Sequence, residues 1–479
     1  MKRNRFSGLA GVLGIFMVTV ACAGKQAPNV VLFVTDDHGT DAMGCYGNPV
    51  IQTPNMDQLA AEGVRFTRAY CTSASCAASR SVILTGLFGH ATGSYGHVHD
   101  YHHFSTYDSV ESLPVLMEKA GYRTARIGKY HLAPESVYHF NDVLEANERS
   151  TVEMADQCRE VIGADQPFFL YFCTSDPHRG DPFTPDPWDA PNSFGNRPEG
   201  YPGVETVQYS PDEVIVPPFL PDTKECREEL AQYYQSVSRI DQGIGRLRKI
   251  LAEAGKSENT IFIYISDNGV AFPGAKTTVY EPGIKLPCIV MDPRAKQKSA
   301  VNEALVSWVD LTPTILDLAG IEFDEKRFHG RSFFPKGASS PSGGKEVYAS
   351  HTFHEITMYY PMRVVVEERY KLIWNIAWCL EYPFASDLWA ASTWQSVYRS
   401  GGEVYGARRV EDYLHRPEFE LYDLEADPDE VHNLASNPDH EATLKRLKEK
   451  LKLFQRKTRD PWLIMWDHDA SLQGTGVNL

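Results

Sequence analysis

No two of the nine cysteines stand in a Cys-x-x-Cys pair, which argues against a structural zinc site of the usual spacing. No internal repeat is visible, and no stretch has collagen-like, coiled-coil or disordered composition. Beyond residue 22 nothing is apolar enough to cross a bilayer. Basic residues are also in deficit: 47 Lys and Arg face 63 Asp and Glu, a formal charge of −16. Such a surface argues against nucleic-acid binding, which needs a basic footprint. An anionic substrate would need a local positive pocket inside a negative field.

What is present fits an exported globular protein. The 479 residues are 42% hydrophobic and 23% charged, enough for one large α/β domain and a smaller one. Lys2, Arg3 and Arg5 precede an apolar run over residues 9–21, the pattern of a signal peptide. Removing that leader makes the chain three units more negative. The run ends Thr19-Val20-Ala21-Cys22, which resembles a bacterial lipobox, with Cys22 as the lipid anchor; ordinary cleavage near Ala23 is the alternative. Both readings export the protein, to the periplasm or as a membrane-anchored lipoprotein. Oligomeric state is left open.

Residues 29–35 form a continuous apolar run, as a central parallel strand requires. Further strands are expected at 122–127, 167–173, 260–265 and 286–291. Helices are expected at 54–62 (capped by Thr53), 79–88, 113–120, 149–163, 223–254 (capped by Asp222) and 310–318. Alternating strands and helices predict a parallel sheet covered on both faces. Residues 179–220, rich in Pro and Gly, read as a long loop over the site. Residues 337–344 read as a linker. It separates a catalytic domain (27–336) from an α+β subdomain (345–479) with short strands and a final helix at 440–457.

The chemistry-bearing residues follow strand ends, where open α/β sheets place ligands. Asp36-Asp37 and Asp267-Asn268 are oxygen-rich pairs suited to a hard cation; either alone could simply cap a turn. Lys129 and His131 follow one strand, and Asp176-Pro177-His178-Arg179 follows another. Lys276 lies downstream of the second oxygen pair. Cys76-Ala77-Ala78-Ser79-Arg80 stands at a helix start, where unpaired N–H groups attract anions.

That last segment, continuing to Leu84-Thr85-Gly86, resembles the signature of the type I sulfatases, in which the cysteine is oxidised to formylglycine. Ala78 stands where many members have proline. The opening strand with Asp36-Asp37, and Ser266-Asp267-Asn268-Gly269, are similar to the family's two metal-binding segments. The stretches around Tyr101-His102-His103-Phe104, Gly128-Lys129-Tyr130-His131, Asp176-Pro177-His178-Arg179 and His354-Glu355 with Arg363 resemble the sulfamidase branch, the heparan N-sulfatases. Lys276 departs from it, since that branch has arginine there; lysine keeps the charge and loses the bidentate fork.

The resemblance implies an alkaline-phosphatase-like sulfatase fold: a large, mixed, mostly parallel sheet between helices, plus a smaller α+β subdomain with a short antiparallel sheet. It implies calcium held by Asp36, Asp37, Asp267, Asn268 and the formylglycine from Cys76. Arg80, Lys129, His178 and Lys276 would surround the sulfuryl group, His178 giving and His131 taking a proton. Asp176, Arg179, His354, Glu355 and Arg363 would bind substrate. A sulfated saccharide and a formylglycine maturation enzyme are the implied partners.

Three readings stand beside an N-sulfatase of terminal glucosamine. One is an exo-acting O-sulfatase on another glycan. Another is a phosphatase or phosphodiesterase of the wider superfamily, which would use Ser or Thr with two zinc ions and several His ligands. The last is a lipoprotein that binds sulfated glycan without turnover.

Overall fold

The computed structural model describes residues 27–180, 190–295, 298–335 and 341–466. The leader, Cys22 and part of the expected linker lie outside the described residues. No described helix is long and apolar enough to cross a membrane.

An eight-stranded sheet forms the centre. In spatial order its strands are Asp142–Leu144, Arg123–Gly128, Phe168–Cys173, Asn29–Thr35, Thr260–Ser266, Cys288–Met291, Val64–Phe66 and Ala300–Asn302. The first five run parallel; Cys288–Met291 is antiparallel to both of its neighbours. Asn29–Thr35 pairs on both sides, Val31 facing Leu170 in one neighbour and Phe262 in the other. Every residue of that strand is buried, which explains its unbroken apolar run. Phe33 stacks on Phe172 with ring centroids 4.7 Å apart.

The 30-residue helix Lys224–Glu253 covers one face. Its cap is Thr223, whose hydroxyl accepts from Cys226 N at 3.2 Å. The expected cap, Asp222, instead pairs with Arg227 at 2.5 Å. Gly243 lets this helix close on Thr151, because a Cβ there would fall 2.5 Å from the Thr151 Cβ. The helix expected over 149–163 is two pieces, Thr151–Gln157 and Arg159–Gly163. The described residues 190–220 contain no helix or strand. They are tied to the long helix, for example by Asn196 Nδ2 donating to Gln232 O at 2.9 Å.

The C-terminal part carries a four-stranded antiparallel sheet in the order Glu346–Phe353, Tyr359–Glu367, Tyr370–Asn375, Phe419–Asp423. The helix Glu441–Thr458 packs across it. Its first strand is joined to the main sheet's loops: Ser350 N donates to Thr72 O at 2.8 Å, and His97 N donates to His354 O at 2.9 Å. Those contacts bring the C-terminal part to the segment around Cys76.

Candidate active site

Three parallel strands end side by side, and backbone hydrogen bonds lock their ends together. Asp36 N donates to Asp176 O at 3.1 Å, and Asp267 N donates to Thr35 O at 3.0 Å. Asp37 N donates to its neighbour's side chain, Asp267 Oδ1, at 3.2 Å. Asp37 sits at φ 63°, a left-handed conformation that Asp adopts more readily than most residues.

Cys76 opens the helix Cys76–Thr85. The helix starts three residues before the expected 79–88 and ends at Gly86, whose φ of 66° closes it. Cys76 Sγ lies 4.0 Å from Asp37 Oδ1. Burial pushes the thiol well up, and the charge of Asp36 pushes it further. An unmodified Cys76 is therefore a protonated, weak nucleophile.

Cations surround this point. Arg80 Nε donates to Asp267 Oδ2 at 2.9 Å and Nη1 to Lys129 O at 3.1 Å, while Nη2 is buried without a partner. Lys129 pairs with Asp36. The preceding Gly128 is obligatory, since a Cβ there would meet Cys173 O at 1.9 Å. Lys276 Nζ lies 2.9 Å from Asp37 Oδ2, with both side chains wholly buried. Burial alone would lower the lysine pKa, but the negative charges around it, Asp37 first, together outweigh burial and the ammonium is retained.

His178 Nδ1 hydrogen-bonds Arg179 O at 2.8 Å. A carbonyl can only accept, so Nδ1 carries a proton and Nε2 faces the site, 3.8 Å from Asp37 Oδ2. Burial, then Lys276, lowers its pKa. His131 Nε2 lies 2.8 Å from His99 Nδ1, and its Nδ1 is buried without a partner. Burial and Lys129 keep His131 neutral. His354 Nδ1 shares a 2.9 Å hydrogen bond with Ser75 Oγ, the residue before Cys76.

The other four residues expected to bind substrate each have a charged or polar protein partner. Arg363 is wholly buried and forked onto Asp460 at 2.5 and 2.9 Å. Arg179 is forked onto Glu229 at 2.8 and 2.9 Å. Asp176 is held by Arg149 and Arg239. Glu355 accepts from Ser386 N and Oγ at 2.9 and 2.5 Å. Arg179, Asp176 and Glu355 thereby hold the segments that carry His178 and Asp387. Asp387 was not among the expected residues; its carboxylate reaches Lys276 and His178 at 3.6 and 4.0 Å. No local sequence signal marks it, because a short helix distant in the chain, Ser386–Trp389, carries it in.

The donor set suits a hard cation. Carboxylate oxygens of Asp36, Asp37 and Asp267 lie within 4.8 Å of one another. Asp36 Oδ1 and Asn268 Oδ1 are buried with no hydrogen-bond partner. Burial and then Asp36 raise the Asp267 pKa, a sign of crowded negative charge. Three carboxylates and the Asn268 amide oxygen are the donor types that calcium or magnesium prefers.

The family profile for sulfatases matches residues 28–321. The chain belongs to the sulfatase family. A second profile, that of the N-sulphoglucosamine sulphohydrolase C-terminal region, matches residues 274–384. This sulfatase is 36% identical over 459 residues to N-sulphoglucosamine sulphohydrolase of Homo sapiens, covering 91% of each chain. It is 25% identical over 560 residues to an N-acetylglucosamine-6-O-sulfatase of Bacteroides thetaiotaomicron, covering 96% of this chain and 92% of the relative. One similar solved structure, a protein in complex with its substrate D-glucosamine-2-N,6-O-disulfate, has a TM-score of 0.64 at 23% identity, covering 91% and 99%. A phosphonate monoester hydrolase of Agrobacterium radiobacter has a TM-score of 0.66 at 17% identity, covering 90% and 96%. The sulfatase thus has the alkaline-phosphatase-like sulfatase fold.

Proposed function

We propose that this sulfatase is exported and calcium-dependent, and removes the N-sulfate of terminal glucosamine in heparan sulfate or heparin fragments. The observation that carries this reading is the placement of Cys76 at a helix N-terminus, among Arg80, Lys129 and Lys276 and beside four oxygen donors. Support for the N-sulfate comes from the profile over residues 274–384 and the 36% identity to the human N-sulphoglucosamine sulphohydrolase. The leader at residues 1–22 supports export, with Cys22 as a lipid anchor. The catalytic domain spans 27–336 and the C-terminal subdomain 345–479.

Calcium held by Asp36, Asp37, Asp267, Asn268 and residue 76 would favour a deprotonated hydroxyl and offset charge on a sulfuryl oxygen. Formylglycine made from Cys76 by a maturation enzyme would supply two hydroxyls on one carbon, one to attack sulfur and one whose deprotonation expels sulfate. Arg80, Lys129 and Lys276 supply fixed positive charge around the anion. His178 presents Nε2 to the leaving nitrogen. The sulfate charge beside it would raise its pKa and let it donate a proton there. His131, neutral before the reaction, accepts the proton of the second hydroxyl.

The negative surface repels long polyanions, so the reading is exo action at a chain end. An O-sulfatase is the second reading, favoured by the Bacteroides relative named for 6-O-sulfate removal. The test is sulfate release by protein co-produced with a maturation enzyme, comparing glucosamine N-sulfate with 6-O-sulfated N-acetylglucosamine, with and without chelator. Calcium-dependent release from the N-sulfate alone is the expected result. Release from the O-sulfate alone would replace the substrate and keep the chemistry.

A further inference from the structure

Asp387 lies in the short helix Ser386–Trp389 of the C-terminal part, yet its carboxylate enters the catalytic site. Oδ2 is 3.6 Å from Lys276 Nζ and 4.0 Å from His178 Nε2. It is buried and has no hydrogen-bond partner. Lys276 Nζ sits 2.9 Å from Asp37 and stays beyond hydrogen-bond distance of this second carboxylate. Burial alone would raise the Asp387 pKa; the charges of Lys276, His178 and Arg179 outweigh burial and keep it ionised.

The turn is built to hold the carboxylate inward. Glu355 anchors the adjacent Ser386 through its backbone N and its hydroxyl, at 2.9 and 2.5 Å. Ala385 and Leu388 on either side are buried. A buried carboxylate oxygen left without a donor is costly, and the cost is recovered when a donor arrives. That donor cannot be the sulfuryl group, whose oxygens are negative and would be repelled. It must belong to the part of the substrate to which sulfur is attached.

We infer that Asp387 accepts a hydrogen bond from an amine or hydroxyl of the saccharide beside the sulfuryl group, and so selects amino sugars or sugars over aryl sulfates. This inference rests on the proposed action on a sulfated sugar. A site that offers a buried acceptor discriminates strongly against ligands lacking the donor. Glu355 and Ser386 act as positioning residues for Asp387, outside direct contact with substrate.

The experiment compares matured wild type with Asp387→Leu and with the near-isosteric Asp387→Asn. Substrates are glucosamine N-sulfate, 6-O-sulfated N-acetylglucosamine and 4-methylumbelliferyl sulfate, which has no donor beside its sulfate. For whichever sugar the wild type cleaves, kcat/KM should fall roughly ten- to a hundredfold in Asp387→Leu, with a smaller loss in Asp387→Asn. Turnover of the aryl sulfate should change little. An equal loss on sugar and aryl sulfate would mean that Asp387 only tunes Lys276, and would overturn the inference. A wild type that cleaves the aryl sulfate and neither sugar overturns the functional reading instead. Calorimetric binding of free glucosamine then decides the role of Asp387: weaker binding by Asp387→Leu supports it, and equal binding sinks it.

Discussion

Arg239 Nε donates to Asp176 Oδ2 at 2.6 Å, and this pair ties the loop bearing His178 to the long helix Lys224–Glu253. Arg149 Nη1 holds the other oxygen at 2.6 Å. Asp176 is wholly buried and Arg239 almost so. Removing one partner of such a pair strands a buried charge. Asp176→Ala should therefore destabilise the fold by about 3–5 kcal/mol in urea unfolding, and kcat should fall as His178 loses its position. A loss below about 1 kcal/mol would refute this account, since that is the range of an exposed pair.

Arg363 and Asp460 make the same kind of buried fork in the C-terminal part. Arg363→Met should cost stability on the same scale, about 3–5 kcal/mol, while the folded fraction keeps its KM. A raised KM with unchanged unfolding would restore Arg363 as a substrate contact.

Binding of calcium to the oxygen cluster should be visible without turnover. At a calcium concentration near 100 times its dissociation constant, stability should rise by about 2.7 kcal/mol. Chelator should lower the melting temperature of the wild type, whereas Asp37→Asn should melt at nearly the same temperature with and without calcium. A calcium-induced shift that survives Asp37→Asn would place the ion elsewhere.

His351 predicts acid sensitivity. Its ring is buried with neither nitrogen partnered. Burial, then Arg416 and Arg363, pushes its pKa down to about 3, against an ordinary 6.5. From pH 6.5 to about 3 the unfolded chain binds a proton that the folded protein refuses, so stability falls as pH falls through that window. His90, pushed down to about 4 chiefly by burial, acts in the same direction. The melting temperature of His351→Leu should decline less steeply than that of wild type between pH 6.5 and 4.5. Parallel slopes would show that His351 carries none of the effect.

The core of the site was legible along the chain because local rules place it. Strands at residues 29–35 and 260–266 are buried on both faces, so they read as unbroken apolar runs, and a parallel sheet brings their carboxyl ends to one edge. Asp36, Asp37, Asp267 and Asn268 follow those ends directly, and Cys76 stands where a helix begins. Helix boundaries were less legible. The break between Thr151–Gln157 and Arg159–Gly163 and the cap at Thr223 depend on packing against other elements.

Sequence by itself determined the strand-end placement of Asp36, Asp37, Asp267 and Asn268, the position of Cys76 at a helix start and the family, because each depends on residues adjacent in the chain. Tertiary structure alone decided the use of Arg179, Arg363 and Asp387. A charged side chain has one identity in the sequence and many available partners. Only packing fixed Arg179 on Glu229 and Arg363 on Asp460, and left the buried Oδ2 of Asp387 facing the site without a donor.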